Sequence, residues 1–191
     1  MNVLIVYAHP NTKSFNAAVL ESFTKGLDES GHNYEVVDLY NLNFDPSIKL
    51  EDFAQFKGGQ MPQDVSSQQE KLAKADALVL ISPIYGWFVS AILEGWIQRV
   101  FSWGFAWKAS KEGMEGLLTQ KKAIYICTTG NPEEFYKMTG YGDSMIKIME
   151  SSLKECGIKD VKTHLLYAIS AVDDQIRKKY LDSVYSLGKN F

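Results

Sequence analysis

Cysteine is scarce in this sequence. Cys127 and Cys156 are the only two, and their separation fits neither a CxxC redox pair nor a metal-ligand set. A disulfide-built or zinc-built fold is excluded on that ground, no metal ligands are expected, and both thiols are expected to be reduced and structural. An excess of one charge is also missing. The 20 Lys plus Arg stand against 23 Asp plus Glu, which leaves no basic face to neutralise a nucleic acid, although one small anionic ligand stays allowed. No stretch of about 18 apolar residues runs free of charge, so no membrane span is expected. Met1–Tyr7 carries no basic leader or small-residue cleavage site and reads as the first strand of a cytoplasmic protein. Repeats and low-complexity tracts are absent. So are GxxxxGK(S/T) and GxGxxG, which argues against a P-loop nucleotidase and a Rossmann dinucleotide domain. Neither paired catalytic carboxylates nor a Ser–His–Asp order stands out.

With 191 residues the chain suits one domain, 1–191, able to bury about two thirds of its unfolded surface. Its apolar blocks are short and bounded by turn residues: Val3–Tyr7, Tyr34–Asp38, Ala77–Ile81, Ala123–Cys127 and Val161–Tyr167. Blocks apolar on both faces belong to a sheet covered on both sides, the habit of parallel sheets. Helical spacing fills the intervals at Ser14–Ser30, Val65–Ala75, Ser90–Trp103, Tyr141–Glu155 and Asp173–Leu187. This alternation predicts an α/β fold, a doubly wound five-stranded parallel sheet in the order 2-1-3-4-5 with helices on both faces. Asn41–Gln60 breaks the alternation and reads as a long loop with a helical turn at most. His32, after Gly31, is expected to be solvated.

Ligands of such sheets lie beyond the carboxyl ends of the strands, so the loops after strands one, three and four should meet at one crevice. After the first strand, His9-Pro10 leads to Ser14, the expected N-cap of a helix whose free N–H groups and positive end suit an anion. His9 is a candidate phosphate ligand there, with Ser14 and Asn16 adding hydrogen bonds. The same residues would also serve simply to close a turn and cap a helix. After the third strand comes Ser82-Pro83-Ile84-Tyr85-Gly86, and after the fourth Thr128-Thr129-Gly130-Asn131-Pro132, followed by Tyr136. Hydroxyl and N–H groups at Thr128–Gly130 suit the polar edge of a heteroaromatic ring, and Gly130 allows close backbone approach.

All four tryptophans fall between Trp87 and Trp107, interleaved with Phe88, Phe101 and Phe105. Flat rings gathered after a buried strand suggest a slot for a flat ligand. In the helix that follows, Glu94, Gln98 and Ser102 form one narrow polar stripe and the remainder is apolar nearly all round. One side can face the sheet and the other needs a cover, so a homodimer through Ser90–Trp107 is expected. Trp96, Val100 and Trp103 then divide between core and interface, leaving Trp87 and Trp107 for a pocket.

With these residues in view, the chain resembles the flavodoxin-fold NAD(P)H:quinone oxidoreductases, a family that includes smaller quinone reductases associated with bacterial potassium-efflux systems. The resemblance runs from the first strand to about Tyr141. It is carried by Ala91–Phe101, Ala8-His9-Pro10 with Ser14-Phe15-Asn16, Gln69-Glu70-Lys71-Leu72, Phe105-Ala106, and Thr128-Thr129-Gly130 with Tyr136. It implies that His9, Phe15 and Asn16 hold the flavin phosphate region and that Gln69 lies near the distal flavin part. Pro83, Ile84, Tyr85, Gly86 and Trp87 would line one ring edge, and Thr128, Thr129, Gly130 and Asn131 the other. Tyr136 would balance charge during hydride transfer, and Phe105 and Trp107 would line the substrate pocket, Trp107 matching an aromatic that reaches the second subunit's site. Where animal members carry Trp and Phe after the third strand, this chain has Gly86 and Trp87, and Ala109 replaces a pocket tyrosine. Tyr141 stands in the region of the family's active-site histidine, which leaves the proton donor open.

The implied activity is ping-pong hydride transfer from NADPH or NADH to flavin N5 and then to a quinone or similar planar acceptor. FMN is expected over FAD because the chain ends before the C-terminal extension of larger members. Two other functions stand beside this one, a flavin-binding regulatory subunit of a membrane cation-efflux system and a flavodoxin-type electron carrier.

Overall fold

The computed structural model describes residues 1–191, with the side chain of Lys57 left out. The first apolar block forms β1 (Asn2–Tyr7), buried from Val3 onward. Ser14 then caps α1 (Phe15–Glu29), its Oγ accepting the Ala17 N–H at 3.2 Å. Next come β2 (Asn33–Asp38), a 3-10 helix over Leu50–Lys57, and α2 (Gln63–Lys74). They are followed by β3 (Ala77–Tyr85), β4 (Phe88–Val89) and α3 (Ala91–Val100). The hairpin of β5 (Trp107–Ser110) and β6 (Gly113–Gly116) leads to β7 (Lys122–Thr128), α4 (Glu133–Thr139) and α5 (Tyr141–Glu155). The chain closes with β8 (Asp160–Leu166) and α6 (Asp174–Lys189).

Five parallel strands run β2-β1-β3-β7-β8, the predicted 2-1-3-4-5 order, and the two-residue β4 pairs antiparallel with β3 as a sixth. Alternate strand residues face opposite layers, as the pleat requires. Leu4, Val6, Leu78 and Leu80 enter one core with Leu72, Leu93, Trp96 and Met149, while Val3, Ile5, Val79 and Ile81 enter the other with Val19, Phe23 and Val184. In that second layer α1 and α6 touch backbone to backbone. A Cβ on Gly26 would lie 2.3 Å from Tyr185 O, and one on Gly188 would lie 2.2 Å from Phe23 O. Both cysteines are free and buried, and burial pushes the thiol of Cys127 up to about 12 and that of Cys156 up to about 11. Among the described residues no helix is long and apolar enough to cross a membrane.

Several local expectations need correction. The helix expected over Ser90–Trp103, and with it the single interface helix through Ser90–Trp107, ends at Val100. Phe101 leaves helical geometry, Gly104 adopts φ +81, and Trp107 begins β5. Burial of Phe101 and Ala106 in the core draws the chain into this turn, and the Trp107 indole N–H donates to Phe101 O at 3.0 Å. Residues 133–139, given no element by the sequence, form the short α4. His32 is half-buried, with the Met1 ammonium 3.0 Å from its Nδ1 and Phe191 O 2.9 Å from its Nε2.

The long loop is held by an arginine. Arg99, on α3 and 1% exposed, donates to both oxygens of Asp52 (2.8 and 2.9 Å), to Asp64 Oδ2 (2.6 Å) and to Asp45 O (2.8 Å). Gly95 lets the same loop press on α3, since a Cβ there would lie 2.3 Å from Pro46 O. Phe56 of the 3-10 helix then stacks on Trp103 at 5.2 Å.

Candidate functional site

The loops after β1, β3 and β7 meet at one rim. Ala8 N–H donates to Ile81 O at 2.9 Å, Pro83 stands opposite Thr128 in the β3–β7 register, and Asn16 Nδ2 donates to Thr128 Oγ1 at 2.9 Å. Asn16 and Thr128 are separated by 112 positions in sequence, so this buried bond ties the first loop directly to the third. Among the described residues Asn16 Oδ1 is buried without a hydrogen-bond partner, which leaves an acceptor free at the rim.

At the first loop, Asn11 N–H donates to His9 Nδ1 at 3.0 Å. Asn11 O also lies 3.2 Å from the same nitrogen, so Nδ1 is engaged by the turn and Nε2 is the ring nitrogen left to face a ligand. Phe15 and Asn16 open α1, and their N–H groups have no acceptor among the described residues, as first-turn donors lack intrahelical partners. No acidic residue occupies that turn, so the positive helix end stays uncompensated. Beneath it the Tyr7 hydroxyl lies 3.5 Å from Ser14 Oγ, and burial keeps its pKa above the ordinary phenol range.

At the third loop, Thr128 and Thr129 are buried, while Gly130 and Asn131 are exposed. Thr129 Oγ1 donates to Asn131 O at 2.8 Å, and the segment after β8 braces the loop through Ala168 N–H to Asn131 O (3.1 Å) and Ile169 N–H to Thr129 O (3.0 Å). Ala168 pays for this contact with a left-handed φ of 54, a strain of roughly 1–2 kcal/mol for a residue with a Cβ. A Cβ built on Gly130 meets nothing within 4 Å, so the rim is open at that point.

Between them, Pro83 and Ile84 are buried within β3, and Tyr85 and Trp87 stand exposed at the hairpin tip. Gly86 takes φ +67 as the first residue of the two-residue turn, the position that glycine fills in a tight β3–β4 hairpin. Trp87 leans toward α4 and α5, 4.6 Å edge-on from Tyr141 and stacked at 6.2 Å on Phe135. Tyr136 is 4% exposed, and its hydroxyl has no protein partner among the described residues. Trp87, Tyr136 and Tyr141 line one cavity of ≈ 310 Å³.

The four tryptophans do not share one slot. Trp96 is wholly buried in the core, and Trp103 and Trp107 line a separate cavity with Phe53 and Phe56, away from Trp87. Phe105 is partly buried against the core. Gln69 is buried, with its amide nitrogen engaged by Val100 O and Ser102 Oγ, both at 3.0 Å. Sequence reasoning missed Phe135, the brace at Ala168 and the Arg99 clamp. A lone arginine off the Glu94–Gln98 polar stripe of its helix, with Asp45, Asp52 and Asp64 upstream, was the available signal for the last.

This geometry sits on a chain that matches the flavodoxin-like fold family over residues 1–191. It is 33% identical to an uncharacterized NAD(P)H oxidoreductase of Haemophilus influenzae over 95% of this chain and 91% of that one. The chain belongs to the flavodoxin-fold NAD(P)H:quinone oxidoreductase family. Within the family it is also 31% identical to NAD(P)H dehydrogenase [quinone] 1 of Cavia porcellus, covering 93% of this chain and 72% of that one. Among solved structures, the NAD(P)H:quinone oxidoreductase from Methanothermobacter marburgensis superposes with a TM-score of 0.91 at 36% identity, covering 100% of this chain and 96% of that chain.

Proposed function

We propose that this protein is a flavin-dependent NAD(P)H:quinone oxidoreductase that works by ping-pong exchange, NADPH or NADH and then a quinone-like planar acceptor using the same place in turn. The observation that carries this reading is the rim itself. It joins anion donors at the head of α1 to an open edge at Gly130 and an aromatic wall at Trp87, Tyr136 and Tyr141. His9 Nε2 and the N–H groups of Phe15 and Asn16 hold the flavin phosphate, with Ser14 fixing the turn. Pro83–Trp87 and Thr128–Asn131 border the ring. The cofactor is FMN. Gln69, with its amide nitrogen already bonded inside the protein, has only its oxygen to offer a distal part, which supports the mononucleotide over FAD.

Bound flavin supplies the two-electron chemistry, and the residues supply position and electrostatics. Tyr136 donates its unpartnered hydroxyl proton as a hydrogen bond to negative charge developing at the rim. Tyr141 packs on Trp87 and orders the face against which a flat guest stacks. Replacing Tyr136 with Phe should slow the reductive half-reaction by about 10- to 100-fold. Stopped-flow bleaching at an unchanged rate would remove Tyr136 from any charge role.

The site is completed by a second copy of the chain, with Phe105 and Trp107 lining the partner's pocket. Phe53 and Phe56 are exposed beside Trp103, an apolar surface that supports such a cover. Sedimentation at micromolar concentration should show twice the 21.5 kDa chain mass. A species of 21.5 kDa alone would reject the dimer.

A further inference from the structure

The cavity lined by Trp87, Tyr136 and Tyr141 extends beyond this aromatic wall, and its lining turns aliphatic there. Beyond Tyr141 its lining continues along α5 through Ser144 and Met145 to Ile148, with Phe88 of β4 also contributing. Ile148 lies seven positions along the helix from Tyr141, about 10 Å of trench. Among the described residues no charged side chain lines it. Besides the phenols of Tyr136 and Tyr141 the lining carries one more hydroxyl, Ser144 Oγ, which donates to Gly140 O at 3.0 Å and is satisfied within the helix. The far end is open, with Ile148 56% exposed. The ≈ 310 Å³ of the cavity covers this trench and the aromatic wall at Trp87, Tyr136 and Tyr141 together, within the range of small-ligand sites.

We infer that this trench is a second subsite, which binds the hydrophobic tail of a planar acceptor whose ring lies at Tyr136 and Trp87. The inference rests on the reductase reading for the identity of the ring and goes beyond it in naming the acceptor class, a quinone bearing an alkyl or polyprenyl chain. The lining selects for this class. A ring without a tail leaves Met145 and Ile148 facing water, whereas a polar or charged substituent reaching beyond Tyr141 finds only Met145, Ile148 and the already engaged Ser144 hydroxyl. Each methylene removed from water contributes up to about a fourfold gain in affinity. Ile148, at the mouth, makes the length of the tail matter.

The test uses the flavin-loaded protein as purified and a series of 1,4-benzoquinones carrying methyl, pentyl or decyl groups. Their dissociation constants are read by quenching of tryptophan fluorescence, and their KM values by NAD(P)H oxidation. The decyl compound should bind at least about tenfold more tightly than the methyl compound. In Ile148→Asp the ratio of the two affinities should fall below about threefold. Affinity independent of tail length, or the same ratio in Ile148→Asp, would overturn the subsite. Because binding is measured without turnover, the two readings separate. Graded binding with no NAD(P)H oxidation would retain the tail site and remove the reductase assignment, and turnover without graded binding would do the reverse.

Discussion

Replacing Arg99 with Ala is expected to destabilise the protein by about 3–5 kcal/mol, seen as a lower urea midpoint with little change in slope. The cost comes from what is left behind. Asp52 is 5% exposed and accepts two hydrogen bonds from the guanidinium, so its carboxylate would remain buried without a counter-charge. The Asp45 carbonyl and Asp64 would also lose their donor. The effect should spread to the turn carrying Trp103 and Trp107, because the loop that Arg99 ties down stacks Phe56 on Trp103. Joint replacement by Arg99→Met and Asp52→Leu should recover much of the loss, since an apolar pair removes both desolvated charges. An Arg99→Ala protein as stable as the parent would show that the clamp contributes nothing.

The same pair gives a pH signature. Burial acts to raise the Asp52 carboxyl, but the Arg99 hydrogen bonds, the Lys49 N–H and the nearby guanidinium more than offset it and hold the pKa below the ordinary value. A depressed carboxylate pKa contributes stability that is present above the unfolded value of about 3.9 and is lost as pH falls through the lower folded value. The pair's contribution should therefore be constant near neutrality and fade only below about pH 4.

Gly130→Val separates site from scaffold. Gly130 lies outside the left-handed region and an added Cβ meets no atom within 4 Å, so stability should change by no more than about 0.5 kcal/mol. A flavin edge running past that rim would collide with the valine, and affinity for FMN should fall at least about tenfold. Titration by flavin fluorescence checks this. Unchanged FMN affinity in a folded variant would place the ring elsewhere.

The sheet was legible because each strand is a short apolar block with turn residues at its ends, and because both layers need cover. Ser14 was legible for a local reason, an N-cap signature that depends on neighbouring residues alone. The three-loop rim followed from strand order. What the sequence concealed depends on long-range partners. The same apolar composition suits a helix continuing past Val100 and a turn into the core, and the choice rests on where Phe101 and Ala106 find cover. Gln69 reads equally well as a ligand and as a structural amide until Val100 O and Ser102 come within reach. Clustering in sequence likewise failed to become clustering in space for the tryptophans, since helix and hairpin geometry point Trp87 and Trp96 to different surroundings.

The most direct test of the account is anaerobic mixing of the FMN-saturated protein with NADPH or NADH in a stopped-flow spectrometer, followed by addition of a simple quinone. The account predicts that the visible flavin absorbance bleaches on mixing and returns on addition of quinone, with no protein partner required. A protein that takes up neither FMN nor FAD, or whose bound flavin stays oxidised with both nicotinamides, would contradict it.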